Sequence, residues 1–337
     1  MSHTSTTGGL ARRHALTGFA ALTLVPWAAR GQQITANATL QTPPDPSQEA
    51  ANLAARTDLN RHLTVEVQIN GRPLHFVVDT GAERTVIADD VAAALGVPLG
   101  KTVTVDGISS RIEAPTISVD ELSFGPFRRR NLTIPILPRT SLISDGYLGL
   151  DAINGTKVTF DFKNHALSIE QPHSGYFLTP DNPLSTRVQL SGSKGHLRVT
   201  DCLVDSVAAS AFIDTGAEVS VGNQALYDAL QGRNKILSPS AAVILSGVTG
   251  GEITAQVIPV KRIRLQDLAF TDGTLAIADV PDFESWKLIN RPALLIGMDY
   301  LRQFGSVSID YRSKEVRFEI SLAPPMPAPG VEIGANA

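Results

Sequence analysis

Phe76-Val77-Val78-Asp79-Thr80-Gly81-Ala82-Glu83 and Phe212-Ile213-Asp214-Thr215-Gly216-Ala217-Glu218 are the two stretches on which the fold turns. Each sets the same five residues, Asp-Thr-Gly-Ala-Glu, directly behind a bulky apolar run. A carboxylate on a tight turn after an apolar strand is pushed out of the core at a fixed place. The glycine permits close backbone approach, and the threonine hydroxyl can tie the turn to a partner. One such turn is ordinary, since Asp and Gly dominate turns. Two copies at equivalent places imply a duplication whose pseudo-twofold axis brings Asp79 and Asp214 together.

The flanking sequence repeats in the same order. A strand pattern leads into each Asp, from His62-Leu63 in the first half and His196-Leu197 in the second. A helical stretch follows (Ala88 to Leu95; Gln224 to Leu230), then a strand ending in a glycine turn (Val103 to Gly107; Val243 to Gly247). Each half closes with Leu148-Gly149-Leu150-Asp151 or Ile296-Gly297-Met298-Asp299 and two further strands. Period-two alternation, as in Leu63 to Ile69, marks half-buried strands. The expectation is therefore an all-β protein of two lobes with short helices, 61–172 and 185–322, joined through Pro172 to Pro183. The second half is longer between its Asp and its distal Gly. The extra length falls partly around Pro281 to Pro292, or else nearer Gly232, and Trp286 there either lines a specificity pocket or covers the core.

Two carboxylates brought together on an axis cannot both ionise, so they share a proton. The ionised oxygen can take a proton from water while the protonated partner donates to a carbonyl oxygen, which is general acid-base hydrolysis of an amide. That chemistry calls for no metal and no cofactor.

The two Asp-Thr-Gly-Ala-Glu segments, with Tyr147-Leu148-Gly149 and Leu295-Ile296-Gly297 after them, resemble the retropepsin-like aspartyl proteases, most closely the bacterial exported type. The resemblance implies a bilobal acid-protease fold with two pseudo-twofold-related β lobes. The chain resembles a fused dimer, so one monomer would hold a whole site for a peptide or protein substrate. Asp79 and Asp214 match the catalytic dyad, and Thr80 and Thr215 the threonines that bond across the interface; Gly81, Ala82, Gly216 and Ala217 complete the two turns. Glu83 and Glu218 match an acidic position that contacts substrate backbone, and Gly107 and Gly247 match the flap turns. Leu150 and Met298 stand where viral enzymes carry an arginine, and neither flap carries the tyrosine of pepsins. Ala82 and Ala217 replace a hydroxyl that donates to the ionised carboxylate, which implies a pH optimum closer to neutral than pepsin's. A catalytically silent peptide-binding protein of the same fold is the alternative, and pairing of each half with another chain is a further one.

Of 337 residues, 43% are hydrophobic and 18% charged, enough to build a core and to exclude wholesale disorder. A net charge of −4 gives no basic field for nucleic acid. The single cysteine, Cys202, can form no internal disulfide and reads as packing. Seven histidines show no metal-ligand spacing. Gly192-Ser193-Lys194-Gly195 reads as a hairpin turn and Arg128-Arg129-Arg130 as a solvated turn. Residues 1–31 read as a signal peptide for export to the periplasm or cell surface, with Arg12-Arg13 resembling a twin-arginine signal. The apolar run from Ala15 to Ala29 is short of the ~20 residues that span a bilayer. Residues 32–60 read as a linker, with a propeptide as the other reading, and 323–337 as a Pro-rich extended tail.

Overall fold

The computed structural model describes residues 51–53, 56–57, 63–172, 184–193, 196–233, 239 and 241–320. The signal segment, the Pro-rich tail, most of the linker and most of the connection between lobes lie outside the described residues. What is described is mainly β. Five short helices accompany the strands: α1 (Asp89–Leu95), α2 (Leu150–Ile153), α3 (Gln224–Gln231), α4 (Pro281–Ser285) and α5 (Met298–Leu301).

In the first lobe, Leu63–Ile69 buries alternate side chains and pairs antiparallel with Arg72–Val78, the strand that delivers Asp79. Gly146–Leu148 pairs parallel with Arg72–Val78 on its other side. Val86–Ala88, Phe127–Leu137 and Thr116–Phe124 continue the sheet, and Gln68 and Ile69 pair with Ser123 and Leu122 to close it into a barrel. The second lobe repeats the scheme: Ser210–Ile213 delivers Asp214 and pairs parallel with Ala293–Ile296. Its leading strand is broken between His196–Val199 and Cys202–Val204, and the latter segment pairs with Glu252–Leu265 to make the equivalent closure. Cys202 is buried there at 4% exposure, and burial pushes its thiol up to about 12.

The lobes share a sheet whose centre is the antiparallel pair Lys157–Asp161 and Ser306–Asp310. These strands are repeat equivalents, and Thr159 faces Ser308 with their hydroxyl oxygens 2.8 Å apart. A strand paired with its own equivalent about one central couple is what a twofold axis requires.

Several expectations need amending. The stretch read as linker contains two short strands, and Ala51–Leu53 pairs with Leu167–Ile169, using backbone groups that the edge of the shared sheet would otherwise leave open. The arginine triplet lies on the strand Phe127–Leu137 rather than on a turn. Arg129 is half-buried over Phe124 and Phe127 and donates to the Ala152 carbonyl at 2.7 Å, so it ties a hairpin to α2. The additional length of the second half falls partly in the connection that holds α4, residues 278–292, against 138–145 in the first lobe. A small cluster with Val280, Phe283 and Leu288 forms its floor.

Candidate active site

Each Asp-Thr-Gly turn begins where its strand leaves the sheet. The Asp79 N–H bonds to the Leu148 carbonyl at 3.1 Å and the Asp214 N–H to the Ile296 carbonyl at 2.9 Å, so both aspartates start from the same point of their lobes. Asp79 Oδ1 accepts the N–H of Gly81 at 2.8 Å and of Ala82 at 3.0 Å. Asp214 Oδ1 accepts those of Gly216 at 2.9 Å and Ala217 at 3.2 Å. These donors fix the carboxyl planes and turn them toward the lobe boundary.

There the two turns interlock. Thr80 Oγ1 accepts the Thr215 N–H at 3.0 Å and donates to the Ile213 carbonyl at 3.0 Å. Thr215 Oγ1 accepts the Thr80 N–H at 3.1 Å and donates to the Val78 carbonyl at 2.8 Å. Both threonines are buried, and every one of these groups would be unsatisfied without its partner lobe. The glycines complete the approach. A Cβ on Gly81 would lie 2.6 Å from the Asp214 carboxyl, and one on Gly216 would overlap the Asp79 carboxyl. Each aspartate is thus packed against the other's glycine.

Burial first, then the Asp79 carboxylate and then Asp282, push Asp214 up to about 8. Asp282, on α4, is itself pushed up to about 6 by burial and by Asp79, Asp106 and Glu83. Tyr311 is buried within the field of both Asp79 and Asp214, and burial followed by those charges raises its hydroxyl.

The turns at Gly107 and Gly247, one from each lobe, meet each other. Ser109 Oγ donates to the Gly250 carbonyl at 2.7 Å, Ser110 Oγ reaches the same carbonyl at 3.0 Å, and Thr249 Oγ1 donates to the Ser110 carbonyl at 3.0 Å. Gly107 packs against Thr249 and Gly247 against Ile108. Ser285 of α4 adds a bond to Asp106 at 3.0 Å, tying the first flap to the second lobe. Beside Asp214, a small pocket is lined by Thr80, Gly81, Leu197, Phe212, Trp286 and Leu295. Trp286 leans on Phe212 with ring centroids 4.4 Å apart, so it lines this pocket as well as packing on its floor.

The acidic positions differ between lobes. Arg302, at the end of α5, holds Glu218 through two hydrogen bonds of 2.6 and 2.8 Å. The pairing that Met298 cannot supply therefore comes from a residue farther along the chain, whereas Asn154 stands at the equivalent place in the first lobe. Glu83 lies in the field of Asp282. Asp79, Asp214, Thr80 and Thr215, expected together from the sequence, are brought together, and the Gly107 and Gly247 turns meet each other; Asp282 and Arg302 were not among the expected residues. Nor were Thr85 and Ser220, buried hydroxyls whose equivalent places beyond Asp79 and Asp214 were the available signal.

The chain is similar to an "uncharacterized protein in cobV 5′ region" of a Sinorhizobium species, 28% identical over 112 residues, which are 32% of this chain and 47% of that protein. The match spans about half the length of that relative. Residues 65–152, from the strand before the dyad turn to the distal Gly-Leu-Asp element, match the family model described as aspartyl protease. Over residues 65–152 the chain therefore matches the aspartyl protease family, and its second lobe repeats the turn and the strand pairing of that stretch.

Proposed function

We propose that this protein is an aspartic endopeptidase that hydrolyses peptide bonds of protein or peptide substrates, with one site per chain. The observation that carries the reading is the interlocked pair of turns, in which each aspartate abuts the other's glycine. Like charges that close share one proton, and the raised Asp214 keeps that proton available toward neutral pH. The ionised member of the pair takes a proton from a water, whose oxygen attacks the scissile carbonyl carbon. The protonated member donates to the carbonyl oxygen, giving a tetrahedral diol. Collapse of the diol breaks the C–N bond, and a proton passes from the dyad to the leaving amine. Closed flaps exclude bulk water and strengthen these electrostatic interactions. Glu83 and Glu218 are assigned the substrate backbone, with Arg302 holding Glu218. The Arg12-Arg13 segment supports export to the periplasm or cell surface as part of the same proposal.

The test is a peptide-library digest read by mass spectrometry. The wild type is expected to cut, and Asp79→Asn and Asp214→Asn each to lose about a thousandfold in rate. Undiminished cleavage in both variants overturns the dyad assignment. A wild type that cuts nothing over a broad pH range favours the silent peptide-binding protein.

A further inference from the structure

Behind each catalytic turn lies a carboxylate that the hydrolytic mechanism does not use, half-buried in the first lobe and exposed at its outer side in the second, and each accepts from a fully buried hydroxyl residue. In the first lobe, Asp151 Oδ1 accepts the Thr85 N–H at 2.8 Å and the Thr85 hydroxyl at 2.7 Å, and that hydroxyl oxygen accepts the Gly149 N–H at 3.2 Å. In the second, Asp299 Oδ2 accepts the Ser220 N–H at 3.0 Å, Oδ1 accepts the Ser220 hydroxyl at 2.6 Å, and the hydroxyl oxygen accepts the Gly297 N–H at 2.8 Å. Because the hydroxyl accepts from a glycine N–H, its own proton is directed at the carboxylate. The order of donors is the same in both lobes, although one uses threonine and the other serine.

These relays clamp the far end of the dyad turns. The N–H groups of Leu150 and Asp151 bond to the Ala82 and Glu83 carbonyls at 2.9 and 3.2 Å. Those of Met298 and Asp299 bond to the Ala217 and Glu218 carbonyls at 2.8 and 3.2 Å. The glycines allow it: a Cβ on Gly149 would overlap the Arg84 backbone, and one on Gly297 would come within 2.7 Å of the Ala217 carbonyl oxygen. The Thr85 and Ser220 hydroxyls are fully buried, so losing the carboxylate oxygen that accepts from each would leave a buried donor unsatisfied.

We propose that Asp151 and Asp299 are positioning residues for the dyad, each acting through Thr85 or Ser220 to set the height of the turn that carries Asp79 or Asp214. The spacing of the two carboxyls, and so their sharing of a proton, depends on both relays. The dyad also faces Asp282 and Tyr311, which substitutions in the relays leave in place. Only the kinetic part of the test rests on the hydrolytic reading.

The experiment compares wild type with Thr85→Val, which keeps shape and removes the hydroxyl, and Thr85→Ser, which keeps the hydroxyl. Aspartate carboxyl carbons labelled with ¹³C report the dyad titration without turnover. The valine variant is expected to move that titration by about half a pH unit or more, and the serine variant to restore it. With KM within about threefold of wild type, kcat per folded molecule is expected to fall about tenfold or more in the valine variant. Should Thr85→Val fail to fold, Asp299→Asn is read in the same way. A folded relay variant whose melting temperature falls while its dyad titration and kcat stay at wild-type values overturns the proposal. A wild type without cleavage overturns the hydrolytic reading, and the titration then judges the relays alone.

Discussion

Asp282 is the charge that reaches the dyad from outside the pair. Removing it as Asp282→Asn takes a negative charge from beside Asp214 and so makes loss of the shared proton easier. The alkaline limb of kcat/KM is expected to move down, by about half a pH unit. The effect belongs to the range above about 6, where Asp282 is itself ionised, and falls on the alkaline titration of the coupled pair, which burial and the facing carboxylate raise. A limb that stays in place or moves up contradicts this account, and pH–rate profiles of the two proteins decide it. Asp79 and Asp214 were legible in the sequence because the motif occurs twice and each copy vouches for the other. Asp282 and Arg302 have no such echo. Asp282 lies on a connection that is longer in one lobe, and Asn154 stands where Arg302 would repeat, so duplication gives no sign of either.

At the scale of elements, the two flaps were legible as glycine-turn hairpins, but not their meeting. Asp106-Gly107-Ile108-Ser109-Ser110 and Ser246-Gly247-Val248-Thr249-Gly250-Gly251 share little sequence, and the bonds between them join residues far apart in the chain. Ser110 is their hub, since its hydroxyl reaches both Thr249 Oγ1 and the Gly250 carbonyl. Ser110→Ala removes the hydroxyl whose one proton these two acceptors share, at a cost of about 0.5–1.5 kcal/mol. Hydrogen exchange at the Gly107 and Gly250 amides is expected to speed up by about tenfold, and unchanged exchange contradicts the latch. The strand Ala51–Leu53 was hidden for a related reason: nothing in its composition announces pairing, and only the open edge of the shared sheet does.

For the whole molecule, the raised carboxyls set the slope of stability against pH. Asp214, Asp282, Asp151 and Asp299 all hold their protons more tightly in the folded chain than the ordinary value of 3.8. The folded state therefore binds more protons than the unfolded state between about pH 4 and 8, and stability falls as pH rises through that window. Asp106, lowered chiefly by its bond to Arg111, acts below this range. The melting temperature is expected to be higher at pH 5 than at pH 8, with a smaller difference in Asp214→Asn; a higher value at pH 8 contradicts it. The duplication was legible from order and spacing, and the twofold pairing of Thr159 with Ser308 is its three-dimensional form. It also makes the central claim, that one chain builds one site from both halves, open to a direct measurement. Asp79→Asn and Asp214→Asn proteins are assayed for peptide cleavage separately and after refolding together. The account predicts that each variant alone and the mixture stay about a thousandfold below wild type. Recovery of activity in the mixture, or substantial activity in either variant alone, would contradict it.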